Sequence, residues 1–250
     1  MKLIILAMSC DLPFFIKEEQ LVMETWGKDI LDGKYENIFL YFLHTDKNER
    51  IEGNNIYVDT SDDIMYTFHK TMKSLKLLEQ NNIQYDFILR TNLSTYINVD
   101  TFDKFINNDI INNYEAYTRT LFTSEVINTV SMKTGPRGNI LLFNRAISKS
   151  LINLYDTYYS NVIGIDDAVI GEMIYPVVIC RPLYGAEMFN DGRYDRTFKI
   201  DSIDDINIGM FFISYRMYYG SLSNGYAERE SEFDVCREIH KKIIELKNNL

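Results

Sequence analysis

The chain has 250 residues, 46% hydrophobic and 25% charged, a balance that suits one large domain or two tight ones with a substantial buried core. Its 36 acidic and 26 basic residues leave a formal net charge of -10, which excludes a broad basic surface for a nucleic-acid backbone and leaves a single nucleotide open as a ligand. Three widely spaced cysteines (Cys10, Cys180, Cys236) and three mutually isolated histidines (His44, His69, His240) exclude a disulfide framework and leave little material for a histidine-rich metal centre or a Cys-His nucleophile.

Leu3 to Met8 is a continuous apolar run, well short of the roughly 18 residues a membrane span needs, and predicts a buried strand. Pro13 opens a stretch to Ile30 in which Phe14, Leu21, Val22 and Ile30 fall near helical spacing. Ile38 to Leu43 and Ile56 to Val58 predict the second and third strands. Asp59-Thr60-Ser61 supplies a helix cap, and Ile64, Phe68, Met72, Leu75 and Leu78 then recur every three or four residues, predicting a helix from about Asp62 to Gln80. Phe87 to Leu89 predicts a fourth strand. This alternation with unbroken apolar strands is the pattern of a mostly parallel α/β sheet with helices on both faces, whose ligands sit beyond the carboxyl ends of the strands.

The residues at those ends are Ser9-Cys10-Asp11, His44-Thr45-Asp46, Asp59-Thr60-Ser61 and Arg90-Thr91-Asn92. No glycine-rich dinucleotide fingerprint and no Walker phosphate loop follows any strand, which argues against a dinucleotide dehydrogenase and a P-loop ATPase. The second half is less regular. Thr134 to Asn139 is a loop before the apolar Ile140 to Phe143, Asp166-Asp167-Ala168-Val169-Ile170-Gly171 starts another helix, and Arg229 to Leu246 forms a charged amphipathic one. No linker separates the halves, so a single two-lobed domain is expected: a nucleotide-sugar-binding half over 1–100, an acceptor-binding and catalytic half over 101–222, and a helix of the same domain over 223–250.

Four segments in order, across most of residues 1 to 175, resemble the β-1,3-galactosyltransferase and Fringe superfamily of inverting glycosyltransferases, which have the GT-A fold. Glu24-Thr25-Trp26-Gly27 is similar to that family's Arg-Glu-Thr-Trp-Gly, with Met23 in the arginine's place. Asp59, Asp62, Lys70 and Thr71 sit at the spacing of its Asp-Phe-x-Asp-x-Tyr-x-Asn-Leu-x-x-Lys-Thr. Tyr85 to Val99 is similar to the family's strand and following metal-binding segment, with Asn92, Leu93 and Ser94 where the family has three carboxylates. Asp166-Asp167-Ala168-Val169-Ile170-Gly171 resembles the motif that carries the family's base. Its usual histidine metal ligand has no counterpart, since no histidine lies between His69 and His240.

The resemblance implies an inverting transfer of a hexose or N-acetylhexosamine from a UDP-sugar to a glycan. Asp167 would be the base, and Asp166 would orient it or raise its pKa by like-charge proximity, against the helix N-terminus, which lowers it. A pair of aspartates at a helix start is otherwise an ordinary cap. Donor binding is expected at Ser9, Asp11, Asp59, Arg90, Thr91, Asn92, Ser94, Arg137 and Gly138. With the carboxylates replaced, no metal ion is expected to be required, and the leaving diphosphate is expected to meet Arg90, Lys133, Arg137 or Arg193. The rival reading is a non-catalytic sugar- or nucleotide-binding module of the same fold. A nucleotidyltransferase would carry a glycine-rich basic signature after the first strand, which Ser9-Cys10-Asp11-Leu12-Pro13 does not supply. Without an apolar spanning segment, the expected setting is cytoplasmic, in a bacterial cell or a virus-infected host.

Overall fold

The structure, a computed structural model, describes residues 1–110, 119–123, 126–128, 134–136, 140–174, 177–182, 186–188, 214–216 and 231–248. The strands β1 (Leu3–Met8), β2 (Ile38–Thr45), β4 (Asn55–Val58) and β5 (Phe87–Asn92) form where the apolar runs predict them. The short β3 (Arg50–Glu52) precedes β4 across a two-residue turn, where Gly53 has φ +57°. That left-handed conformation suits glycine, which has no Cβ to clash.

β1 pairs in parallel with β2 on one side and β5 on the other, and β2 pairs in parallel with β4. β6 (Thr95–Ile97), β7 (Thr120–Thr123), β8 (Val126–Asn128), β9 (Thr134–Pro136), β10 (Ile140–Asn144), β11 (Ile179–Pro182), β12 (Ala186–Met188) and β13 (Ser214–Arg216) complete the strands. The main sheet has eight, in the order β11-β7-β10-β5-β1-β2-β4-β3. β10 runs antiparallel to β5 and to β7, so the sheet is mixed rather than parallel throughout. The chain leaves β5 at its carboxyl edge and passes through β6 to β9 before entering β10 from that same edge. β6 joins β13 and β12 in a small second sheet.

Alternation along β1 sets the layers. Leu3, Ile5 and Ala7 belong to one core cluster, whereas Ile4 and Leu6 belong to another. The first cluster lies under α1 (Pro13–Glu24) and α2 (Lys28–Leu31), and includes Leu21, Val22, Trp26 and Ile30. The second lies under α3 (Thr67–Gln80), with Phe68, Met72, Leu75 and Leu78 fully buried. α3 starts later than expected. Asp63 caps a single 3-10 turn over Ile64–Tyr66 by accepting from the Met65 N–H at 2.8 Å, and the α-helix follows.

After α4 (Val99–Lys104), α5 (Arg145–Leu154) and α6 (Asp166–Ile174) cover the second face. α7 (Ser231–Asn248) returns to the first, where Cys236, Ile239 and Ile243 join the core beside α1. Phe233 stacks on Phe14 at 5.5 Å. Among the described residues no helix is long and apolar enough to cross a membrane.

Candidate functional site

The order β4-β2-β1-β5 contains a reversal: from β1 the chain builds outward through β2 to β4, then α3 carries it back to β5 on the other side of β1. Such a reversal opens a crevice at the carboxyl ends of the two strands that diverge from it. A cavity of about 800 Å³ occupies that place. Met8 and Asn92, partners at the last rung of the β1/β5 ladder, both line it, as do Ser9, Cys10, Asp11, Leu93 and Ser94 from the loops beyond. Leu12, Phe15 and Glu18 close one side, and Asp62, Asp63, Ile64, Thr67 and Lys70 close the other.

Lys70 ties these walls together. Its side chain is only 3% exposed, and its Nζ donates to the Ser9 carbonyl at 2.8 Å and to the Asp62 carboxylate. The Ser9 hydroxyl donates to Glu19 Oε2 at 2.7 Å, and His44 Nε2 lies 3.2 Å from the same oxygen. Burial pushes the Cys10 thiol up, so it stays protonated at neutral pH. The lining carries the carboxylates of Asp11, Glu18, Asp62 and Asp63 against the ammonium of Lys70. Such a wall suits hydroxyls and N–H donors.

Ser9, Asp11, Asn92 and Ser94 thus line one cavity, whereas Asp59, Arg90, Thr91, Asp166 and Asp167 do not line it. Asp59 lies on the outer surface, with its backbone bonded to Glu49 and Lys73. Thr91 is fully buried. Lys133, Arg137, Gly138 and Arg193 lie outside the described residues. Asp62 and Lys70, both named by the resemblance, also line the cavity. Eight residues separate them, from a loop to the buried face of α3, and the Lys70 Nζ donates to the Asp62 carboxylate.

Arg90 corrects an expectation. Its guanidinium, 3% exposed, lies against Asp166 and outside the cavity lining, with Nε 2.6 Å from Oδ2 and Nη2 donating to Oδ1 at 2.9 Å. The arginine sits on β5, flanked by the buried Leu89 and Thr91, and a guanidinium enclosed there needs a counter-anion. Asp166 is also fully buried, and accepts from the Thr71 hydroxyl at 3.0 Å and from the Asp167 N–H at 3.1 Å. Burial pushes its carboxyl up, with Arg90 pulling the other way. A buried guanidinium that cannot shed its proton keeps the partner anionic.

Asp167 remains partly exposed at the start of α6, its Oδ1 accepting from the Ala168 N–H at 2.8 Å. Thr67 joins this helix to the cavity wall: it lines the cavity, and its hydroxyl oxygen accepts from the Asp166 N–H at 3.2 Å.

A divalent cation does not fit the residues present where the resembling family holds one. Leu93, 2% exposed, belongs to the apolar core, and Asn92 and Ser94 offer neutral oxygens on either side of it. Among the described residues no group of three or more histidine, cysteine, aspartate or glutamate side chains converges as a ligand set.

No family model matches the chain. No curated protein matches it. Among solved structures it is similar to a glycosyltransferase involved in glycosylating the major capsid of PBCV-1, with 11% identity and a TM-score of 0.50 over 95% of this chain and 100% of that one. It is also similar to the apo form of the glycosyltransferase GlyE of Streptococcus pneumoniae TIGR4, with 16% identity and a TM-score of 0.46, and covers 99% of its own length. A second GlyE structure gives 14% identity and a TM-score of 0.43. The chain spans 64% of the length of either GlyE structure. The likeness to the PBCV-1 protein extends over both chains and is one of architecture: the mixed eight-stranded sheet with helices on both faces is a glycosyltransferase fold.

Proposed function

We propose that this chain is an inverting glycosyltransferase, of the β-1,3-galactosyltransferase and Fringe type, that takes a UDP-hexose or UDP-N-acetylhexosamine and extends a glycan. The observation that carries the reading is the cavity at the reversal between β1 and β5, in a fold shared with a protein that transfers sugars. Ser9, Asp11, Asn92 and Ser94, with Asp62 and Lys70, would hold the donor. Their carboxylates and carbonyls accept from base N–H and sugar hydroxyl groups.

In the transfer, an acceptor hydroxyl attacks the anomeric carbon on the face opposite the phosphate. The new C–O bond forms as the bond to the diphosphate oxygen breaks, and Asp167 takes the hydroxyl proton. UDP leaves with its electron pair. Lys70 is the cationic side chain on the described lining, and Lys133, Arg137 and Arg193 are the further candidates for the leaving group's charge.

The replacement of the family's carboxylates by Asn92, Leu93 and Ser94 favours one alternative, a binding module retired from catalysis. Calorimetry with UDP and a panel of UDP- and GDP-sugars, followed by assay of nucleoside diphosphate release with and without glycan acceptors, separates the two. Binding with turnover, retained in EDTA, supports the transferase. Binding without turnover against the whole acceptor panel supports the module, and absence of binding removes the cavity as a donor site.

A further inference from the structure

The Asp166-Asp167 pair lies in two different environments although the residues are adjacent in sequence. Asp166 has no exposed surface and four contacts: Arg90 Nη2 at 2.9 Å and the Asp167 N–H at 3.1 Å on Oδ1, Thr71 Oγ1 at 3.0 Å and Arg90 Nε at 2.6 Å on Oδ2. Its oxygens are engaged by the fold, and no substrate hydroxyl can reach them without dismantling the cluster. Asp167, by contrast, is partly exposed. Its backbone N–H hangs from Asp166, so wherever the Asp166 carboxylate is held, the first turn of α6 and the Asp167 side chain are held with it.

The groups that hold Asp166 come from the elements that build the cavity. Arg90 lies on β5, two residues before Asn92. Thr71 lies on α3, next to Lys70 and one turn beyond Thr67, both of which line the cavity. Adjacent residues of α3 therefore serve two ends of the site, Lys70 gripping the loop after β1 and Thr71 gripping α6.

We propose that Arg90 and Thr71 are positioning residues, which fix Asp166 as an anchoring anion so that Asp167 alone meets the attacking hydroxyl at a set distance from the donor cavity. This rests on the glycosyl-transfer reading above. Both side chains act through Asp166 and neither touches the donor. A misplacement of a reacting group by about 1 Å can lower a rate about 100-fold while leaving ground-state binding intact.

The test uses the whole protein and three variants. Thr71→Val removes the hydroxyl without changing the shape much, Thr71→Ser keeps it, and Arg90→Lys keeps the charge while losing the two-pronged grip. UDP affinity is read by calorimetry, and kcat and KM by UDP release from the sugar nucleotide that the wild-type protein turns over. Thr71→Val and Arg90→Lys are expected to bind UDP within about twofold of wild type while kcat falls about 10- to 100-fold, and Thr71→Ser to restore most of the loss.

Wild-type kcat in a folded Thr71→Val, or Thr71→Ser no better than Thr71→Val, overturns the inference. So does a parallel loss of UDP affinity and kcat in Arg90→Lys, which would put the guanidinium at the diphosphate. If Arg90→Lys does not fold, the Thr71 pair decides alone. Turnover in wild type with unaffected variants removes only the positioning role. UDP binding without turnover in wild type removes the transferase reading along with it.

Discussion

At the scale of single residues, exposure separates side chains that the sequence presents as equals. Asp167→Asn keeps the shape and can still cap α6, so thermal stability should change little while turnover falls about 100- to 10,000-fold and nucleotide-sugar binding persists; a rate assay beside a melting curve checks it. Asn92→Ala should weaken nucleotide binding by about 1–3 kcal/mol, the range for a lost buried polar contact. Asp59→Ala, on the outer surface, should leave calorimetric affinity unchanged. The sequence made the polar character of the strand ends legible, because residues after an apolar strand must leave the core. It could not show which of them turn inward. Thr91 and Arg90 fall one and two register steps inside the ladder, and only the pairing of Met8 with Asn92 fixes where the strand ends and the cavity begins. Asp166 was legible as acidic and not as buried, since its partners Arg90 and Thr71 lie 76 and 95 residues away in the chain.

Elements followed the hydrophobic pattern closely where one face or both are buried. β1, β2 and β5 start where the apolar runs put them, α3 ends at Gln80 as expected but starts five residues late, and α6 begins at Asp166 as expected. The hairpin strand β3 escaped because Arg50-Ile51-Glu52 is three residues long, carries one apolar residue and lies at the sheet edge. The segment after α1 shows a motif whose role is architectural. The Thr25 hydroxyl donates to the Leu21 carbonyl at 2.7 Å, Trp26 is 2% exposed, and the Gly27 N–H donates to the Val22 carbonyl at 2.9 Å. A Cβ at Gly27 would stand 2.8 Å from that carbonyl oxygen and 2.9 Å from Leu40 Cδ2. Gly27→Ala should therefore cost about 1–3 kcal/mol by forcing α1 away from β2, measured as a lower denaturant midpoint with an unchanged slope. Nucleotide affinity, corrected for the folded fraction, should stay the same.

For the whole molecule, burial of two imidazoles gives stability a dependence on mildly acidic pH. His69, bonded through Nδ1 to the Tyr155 hydroxyl at 2.9 Å, and His240, 3.0 Å from the Tyr96 hydroxyl, are both held below the ordinary histidine value, chiefly by desolvation. As pH falls through about 6.5, the unfolded chain takes up protons that the folded chain refuses. Stability is therefore full above that value and declines below it, until the folded-state values are passed. Melting temperature should drop between pH 7.5 and 5.5, and His69→Gln should flatten the drop even if it lowers the starting value. A melting temperature independent of pH over that window would contradict it.

The packing of α7 on α1 has a temporal side. Cys236 lies 3.6 Å from the Thr25 hydroxyl, and Ile239 has no exposed surface. A helix translated early is thus covered by one translated more than two hundred residues later. At roughly 5–20 residues per second, the outer face of α1 waits on the order of 10–40 s for its cover during synthesis. Over that interval the half-built sheet presents Phe14 and its neighbours bare to the crowded cell. Yield of native protein should depend on what shields that face, a holding chaperone or a slower-growing, cooler culture, long before any sugar is bound.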